Sequence, residues 1–287
     1  MRTIAFALVA VVFGGLTHAQ DPVLPAIELT DSATIQPYGW TWSEWSQDRS
    51  DALSMIRLRA DIDTDTRWSG FIETDLTNGA RASENWLRQA FVTYEADDTA
   101  INVGRLFLAA PRATPPPFLL KTARYMRYPF SAFGWGVQLD TELAGWNVLV
   151  DVTGDSSRRF NQGDQFTHLE SSARATRAIS EQVTIGATYQ VSADFTRISG
   201  EVTYADGPHT VNVVAYTSDT ADGGWIFYGH EVHERIELHG QLDYQDGAGE
   251  ELLTTIGVRF GITNRVQMIV DHEFAQGDTF ARLQVRF

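Results

Sequence analysis

The sequence contains no cysteine and a single lysine, Lys121. Without cysteine there is no disulfide framework, so the chain must hold together by other means even in an oxidising compartment. Cations of any kind are scarce. Lysine plus arginine number 22 against 37 acidic residues, a formal net charge of -15. That balance excludes a general nucleic-acid binder, whose affinity comes from clustered Lys and Arg. Beyond the first residues no apolar run approaches the roughly 20 residues that a membrane-spanning helix needs. No G-x-S-x-G elbow is present, and His230-Glu231-Val232-His233-Glu234 does not have the H-E-x-x-H spacing of a zinc helix. On a strand its two histidines would point to opposite faces. No metal site or cofactor is expected.

The chain begins with Arg2 and an apolar stretch, Ile4 to Leu16, followed by Thr17-His18-Ala19. This is the pattern of a secretory signal peptide: a positive start, an h-region too short to span a bilayer, and a small-residue exit. Cleavage after Ala19 is expected, which leaves residues 20–287 as one domain with no linker or separate plug.

What fills the remainder is alternation with a period of two. Ile56, Leu58, Ala60 and Ile62 oppose Arg57, Arg59, Asp61 and Asp63; Phe133, Trp135, Val137 and Leu139 oppose Gly134, Gly136, Gln138 and Asp140. Sixteen such segments, each of about 9–12 residues, have the length that crosses a bilayer when tilted. They start near Thr34, Ala52, Arg67, Asn85, Ala100, Ala132, Gly145, Phe166, Gln182, Asp194, Thr210, Gly224, Ile236, Glu251, Arg265 and Asp278. Arg88, Arg105 and His230 break the alternation, which a bulge or a rim position explains. A mean hydropathy of -0.20 suits a soluble protein and an alternating barrel equally.

Connection lengths separate those two. Thr64-Asp65-Thr66, Asp97-Asp98-Thr99, Leu143-Ala144, Ser180-Glu181, Asp206-Gly207-Pro208 and Thr263-Asn264 fall at one end, while the long segments Asn78–Glu84, Ala109–Ser131 and Gly154–Gln165 fall at the other. Short turns on one side and long loops on the other are the habit of membrane barrels. Aromatic residues at strand ends agree. Tyr94, Trp146, Tyr204, Phe260 and Phe287 mark one rim, and Trp86, Trp135, Tyr189, Tyr244 and Phe274 the other, all with the parity of the outer face. A soluble sandwich would bury such rings in mid-strand instead, whereas the headgroup layer suits them. The fold class is therefore all-β: a transmembrane antiparallel β-barrel of sixteen strands in the bacterial outer membrane.

The last strand, Asp278–Phe287, sets Thr279, Ala281, Leu283, Val285 and Phe287 against Asp278, Arg282, Gln284 and Arg286, with Phe280 as the exception. A terminal Phe of this kind resembles the assembly signal of outer-membrane barrels, which implies a role for Phe287 in recognition by the barrel-assembly machinery.

Charge points to a function. Residues 99–139 hold no Asp or Glu but carry Arg105, Arg112, Lys121, Arg124 and Arg127. The stretch contains the longest connection, stiffened by Pro115, Pro116 and Pro117. Lys121, Arg124 and Arg127 are spaced to lie along one side of a short helical turn. Folded inward after the fifth strand, this loop would narrow a pore and focus a field that attracts anions. Kept outward, the same cations would balance acidic neighbours or lipopolysaccharide. On the wall, Arg57, Arg59, Arg174, Arg197, Arg259 and Arg282 face the lumen with Asp61, Asp63, Glu73, Asp75, Asp140, Asp151, Glu170, Glu201, Glu237, Asp243 and Asp271. Their simplest role is to keep the lumen wet and fix strand register.

Arg88-Gln89-Ala90-Phe91-Val92-Thr93-Tyr94, Ile101-Asn102-Val103-Gly104-Arg105 and the Arg124-Tyr125-Met126 region resemble the phosphate-selective porin O/P family. Arg57-Leu58-Arg59-Ala60 and Glu73-Thr74-Asp75-Leu76 are also similar to it. The resemblance covers roughly the first half of the chain. It implies a homotrimeric, water-filled channel for small hydrophilic solutes, with loop and wall cations guiding anions. Strand parity and the acid-free loop put Arg57, Arg59, Asp61, Glu73, Asp75, Arg112, Lys121, Arg124 and Arg127 at the expected constriction or on the lumen wall. The chain is shorter than that family and lacks its lysine ladder. The rival reading is a barrel enzyme of lipase or protease type, for which His168 with Glu170 and His239 with Glu237 supply a base and an acid without a nucleophile.

Overall fold

In the computed structural model the described residues are 24–46, 53–77, 86–109, 133–154, 169–192, 196–219, 221–246, 251–275 and 277–287. The expected signal peptide therefore lies outside them. Seventeen strands run through the described chain: β1 (Ile27–Thr30), β2 (Ala33–Ser46), β3 (Leu53–Thr64), β4 (Trp68–Thr77), β5 (Trp86–Ala96), β6 (Thr99–Phe107), β7 (Phe133–Leu143), β8 (Trp146–Gly154), β9 (Leu169–Ala178), β10 (Val183–Val191), β11 (Thr196–Asp206), β12 (His209–Ser218), β13 (Asp222–His233), β14 (Ile236–Asp246), β15 (Glu251–Gly261), β16 (Val266–Glu273) and β17 (Asp278–Arg286). From β2 onward each strand pairs antiparallel with the next, and β17 returns to β2, so sixteen strands close into a barrel. Closure leaves no edge with unsatisfied backbone groups, which is what lipid demands of a sheet. Strand β1 stands outside the ring and pairs with the first residues of β2, Ile27 opposite Ile35.

All sixteen wall strands start within three residues of the positions expected from the sequence. The alternation succeeds because each strand has one face in lipid and one in the lumen. The result is inside out. Val92, Val137, Ile226 and Ile256 are exposed on the outer face, whereas Glu73, Asp75, Asp151 and Asp271 are each only 1% exposed on the inner one. Exposed rings at the strand ends include Tyr189, Tyr204, Tyr244 and Phe274. At the tight-turn rim Trp68 joins them, its ring 4.8 Å from that of Tyr94.

The turn chemistry explains the tight rim. Between β7 and β8, Ala144 has φ 52° and Gly145 φ 77°, the paired positive values of a two-residue turn whose twist matches the strands it joins.

Each break in alternation has a local cause. Across β4 and β5, Glu73 pairs with Gln89 while Thr74 pairs with Leu87, so Arg88 is the extra residue of a bulge. The bulge turns Arg88 to the lumen and also reverses the parity beyond it. In the backbone register Trp86 stands opposite Asp75. Arg105 occupies the last rung between β5 and β6, where Ala90 is its partner, and its Nε donates to the Leu87 carbonyl at 2.8 Å. His230 lies near the tight-turn rim and stacks on His209 with ring centroids 4.6 Å apart.

Candidate functional site

The inner wall of β2–β5 holds two of the arginines expected to face water, Arg57 and Arg59. Register places Arg57 opposite Asp75 and Arg59 opposite Glu73. Arg57 then grips Asp75 with two donors, Nε at 2.5 Å and Nη2 at 2.7 Å. Arg59 donates its Nε to Glu73. Arg88, delivered by the bulge, bridges both acids, 2.7 Å from Glu73 and 3.1 Å from Asp75. Three cations thus surround two carboxylates. The fork geometry of a guanidinium suits such bridging, and a lysine could not reproduce it. Tyr38, on β2, donates to Asp61 at 3.4 Å.

Aromatic rings complete this patch. Arg59 lies over Trp40 at 4.5 Å from the ring centroid, and Arg57 lies 5.3 Å from both Trp40 and Trp42. Arg282, bound to Glu44 at 2.8 Å, lies 5.5 Å from Trp42. The order Arg59, Trp40, Arg57, Trp42, Arg282 is an alternating column of guanidinium and indole along the inner wall, with cation–π attraction between neighbours.

The opposite wall has another character. Arg174 pairs with Glu201 at 2.5 Å and Arg259 with Glu237 at 2.6 Å. His239 meets Asp271 at 2.7 Å, while Glu237, its expected partner, stands 3.8 Å away. The difference follows from register: Asp271 lies opposite Gly257, itself opposite His239, and the missing side chain at Gly257 lets the two meet across it. Val214, Trp225, Phe227 and Ile269 share this inner wall at 2% exposure or less. The lumen is therefore closely packed along β12–β16, and its more accessible flank is at β2–β5.

The connection after the fifth wall strand begins by entering the barrel. Leu108 and Ala109 are buried, and the Ala109 N–H donates to the Asp151 carboxylate at 2.6 Å. Gln138 donates to the Phe107 carbonyl at 2.9 Å. A cavity of about 200 Å³ remains beside this segment, lined in part by Phe91, Leu106, Leu149 and Arg174. Arg112, Lys121, Arg124 and Arg127 lie outside the described residues, as does His168. Phe287 lies at the barrel seam, where its N–H and carbonyl both bond to Gly39 at 2.9 Å. Among the described residues no group of three or more metal-ligating side chains is assembled.

Sequence reasoning missed Tyr38, Trp40, Trp42 and the bridging role of Arg88. The break in parity at Arg88 was a usable signal for a bulge. For β2 the signal was weaker: its rings alternate with Gly39, Thr41 and Ser43, and only pairing with Arg57 and Arg59 reveals that the rings face inward.

A closed ring of sixteen antiparallel strands, apolar outside and ionic inside, with chain entering the lumen after the fifth wall strand, defines a porin-like outer-membrane β-barrel. Solved structures agree on the fold. An engineered mutant of Rh. blastica porin superposes with a TM-score of 0.67 at 16% sequence identity, covering 88% of this chain and 99% of that one. OmpT, an outer membrane protein of Vibrio cholerae, superposes with a TM-score of 0.67 at 10% identity, covering 92% and 100%. No family model and no curated protein matches the sequence.

Proposed function

We propose that the protein is an outer-membrane porin, a water-filled channel for passive diffusion of small hydrophilic solutes and ions with a weak preference for anions. The observation that carries this reading is the barrel's inside-out chemistry around a lumen lined by ion pairs. A barrel serving only as an anchor needs no such lining, whereas charged side chains at the wall of a pore set which ions enter. The anion preference is supported by the acid-free stretch at 99–139 and by the resemblance to phosphate-selective porins. The net charge of -15 opposes it, which is why the preference is weak.

The remaining features of the reading belong to export and assembly. Residues 1–19 act as a signal peptide, Phe287 is read by the barrel-assembly machinery, and lipopolysaccharide surrounds the outer rim. The working state is a homotrimer. The small outward residues Thr41, Ser43 and Ser54 beside the seam support close packing between copies, because they present little bulk to lipid there. An enzyme would need a nucleophile at His239, and among the described residues that ring bonds only a carboxylate.

Planar-bilayer recording of the purified barrel tests the proposal. Stepwise ohmic conductance with a reversal potential displaced slightly toward anions is the expected result. Complete absence of conductance from correctly folded protein would reject the channel.

A further inference from the structure

Tyr38, Trp40 and Trp42 are three large rings in succession on the inner face of one strand, and unlike Trp225 and Phe227 on the opposite wall they stand against arginines. Tyr38, Trp40 and Trp42 occupy alternate inner positions of β2, while Gly39, Thr41 and Ser43 take the outer ones. A membrane barrel gains by the opposite arrangement. Where a fold breaks its own pattern without a packing gain, the reason is to be sought in function.

Arg59 is the centre of the arrangement. Its guanidinium carbon lies 4.5 Å from the Trp40 ring, 5.8 Å from Phe71 and 6.0 Å from Tyr38. Phe71 in turn stands 5.4 Å from Phe91. The Nε of Arg59 donates to Glu73, and the Tyr38 hydroxyl, which donates to Asp61, stands within reach of the same guanidinium. Arg59 is also 29% exposed, more than the 16% of Arg88 or the 7% of Arg259. It is a fork pinned at one edge by Glu73, partly exposed, and collared by rings on three sides.

A fork of N–H donors fits a carboxylate with two parallel bonds. The collar lowers the local dielectric, which strengthens that pairing, and offers faces and edges on which a flat ring packs. Resting on the channel reading for the route by which solute arrives, we infer that this collar is a binding subsite for solutes carrying a single carboxylate on a flat ring. The carboxylate seats on the terminal nitrogens of Arg59 and the ring packs against Tyr38 and Phe71. Arg57, Arg59 and Arg88 offset Glu73, Asp75 and Asp61, so the attraction is local to the Arg59 fork and not a surplus of charge. Asp61, the next inward residue of β3 and the acceptor of the Tyr38 hydroxyl, sets the upper limit. Its charge beside the subsite repels a second anionic group, so a monocarboxylate is preferred to phosphate or a dicarboxylate.

The test uses the full barrel folded in detergent and titrated with benzoate, acetate and inorganic phosphate, with binding followed by indole fluorescence and calorimetry. Benzoate should bind about tenfold more tightly than either of the others, and Arg59→Gln should abolish that preference while Arg174→Gln keeps it. Equal affinity of the unaltered protein for all three anions overturns the inference, whatever the variants do. The same preparation is recorded in bilayers. Conductance without benzoate preference overturns the subsite and leaves the channel; benzoate preference without conductance keeps the subsite and overturns the channel.

Discussion

Gly39 and Phe287 face each other across the seam where the barrel closes, each donating to the other's carbonyl at 2.9 Å. A Cβ placed on Gly39 would lie 3.1 Å from the Phe287 ring and would also press on the Arg57 carbonyl. The seam therefore requires glycine for close approach, since overpacking here must shift backbone as well as a ring. Gly39→Val is expected to cost roughly 1–3 kcal/mol, seen as a lower fraction of compact, heat-modifiable barrel on gels of unboiled protein. Arg88 is the second residue on which much depends. It shares Glu73 with Arg59 and Asp75 with Arg57, so its loss leaves two carboxylates, each 1% exposed, with one cation apiece. Breaking a buried charge network is costly, and the partial exposure of the arginines moderates it. Arg88→Leu should lose about 2 kcal/mol in urea unfolding of the detergent-folded protein, and Arg88→Lys should recover only part because an ammonium cannot bridge two acids as a fork does. Full recovery by lysine would show that charge alone matters there.

Among the elements, β1 and β2 show where reading a sequence by period succeeds and fails. The sixteen wall strands were legible because lipid and water act on alternate residues of a segment long enough to cross a bilayer. Four residues, Ile27-Glu28-Leu29-Thr30, are too few to show such a pattern, so β1 was invisible. It is fully exposed, and among the described residues its register of paired residues is with β2. Deleting Ile27–Thr30 should leave the unfolding midpoint and gel mobility of the barrel unchanged within error; a large loss would mean that β1 belongs to the wall. Strand β2 failed differently. Its period was evident, but period cannot say which face is inner when rings oppose Gly39, Thr41 and Ser43, and hydrophobicity alone points the rings outward. The orientation is decided by register with Arg57 and Arg59, a long-range fact. The bulge at Arg88 lies between these cases: the parity error was visible in sequence, while the bridging of Glu73 and Asp75 that it allows was not.

At the scale of the whole barrel, charge should govern transport. Arginine stays protonated throughout the accessible pH range, while unperturbed carboxylates titrate near about pH 4. As the pH falls from neutral toward that value, the wall loses negative charge and keeps its positive charge. The reversal potential should therefore move toward anions on acidification, and movement toward cations would contradict the wall as the source of selectivity. The acid-free stretch gives an independent lever. Replacing Lys121, Arg124 and Arg127 together by Glu should move the reversal potential toward cations with gel mobility unchanged; no change would place that segment away from the constriction.

Every cation on the described inner wall is an arginine, and this has a practical meaning for the chemist. Amine-directed reagents find one side-chain target in the entire sequence, Lys121, together with the amino terminus. The protein thus comes with a natural attachment point within its longest connection. A bulky acylating tag placed there either throttles the current or leaves it untouched, reporting on that connection without altering a single residue.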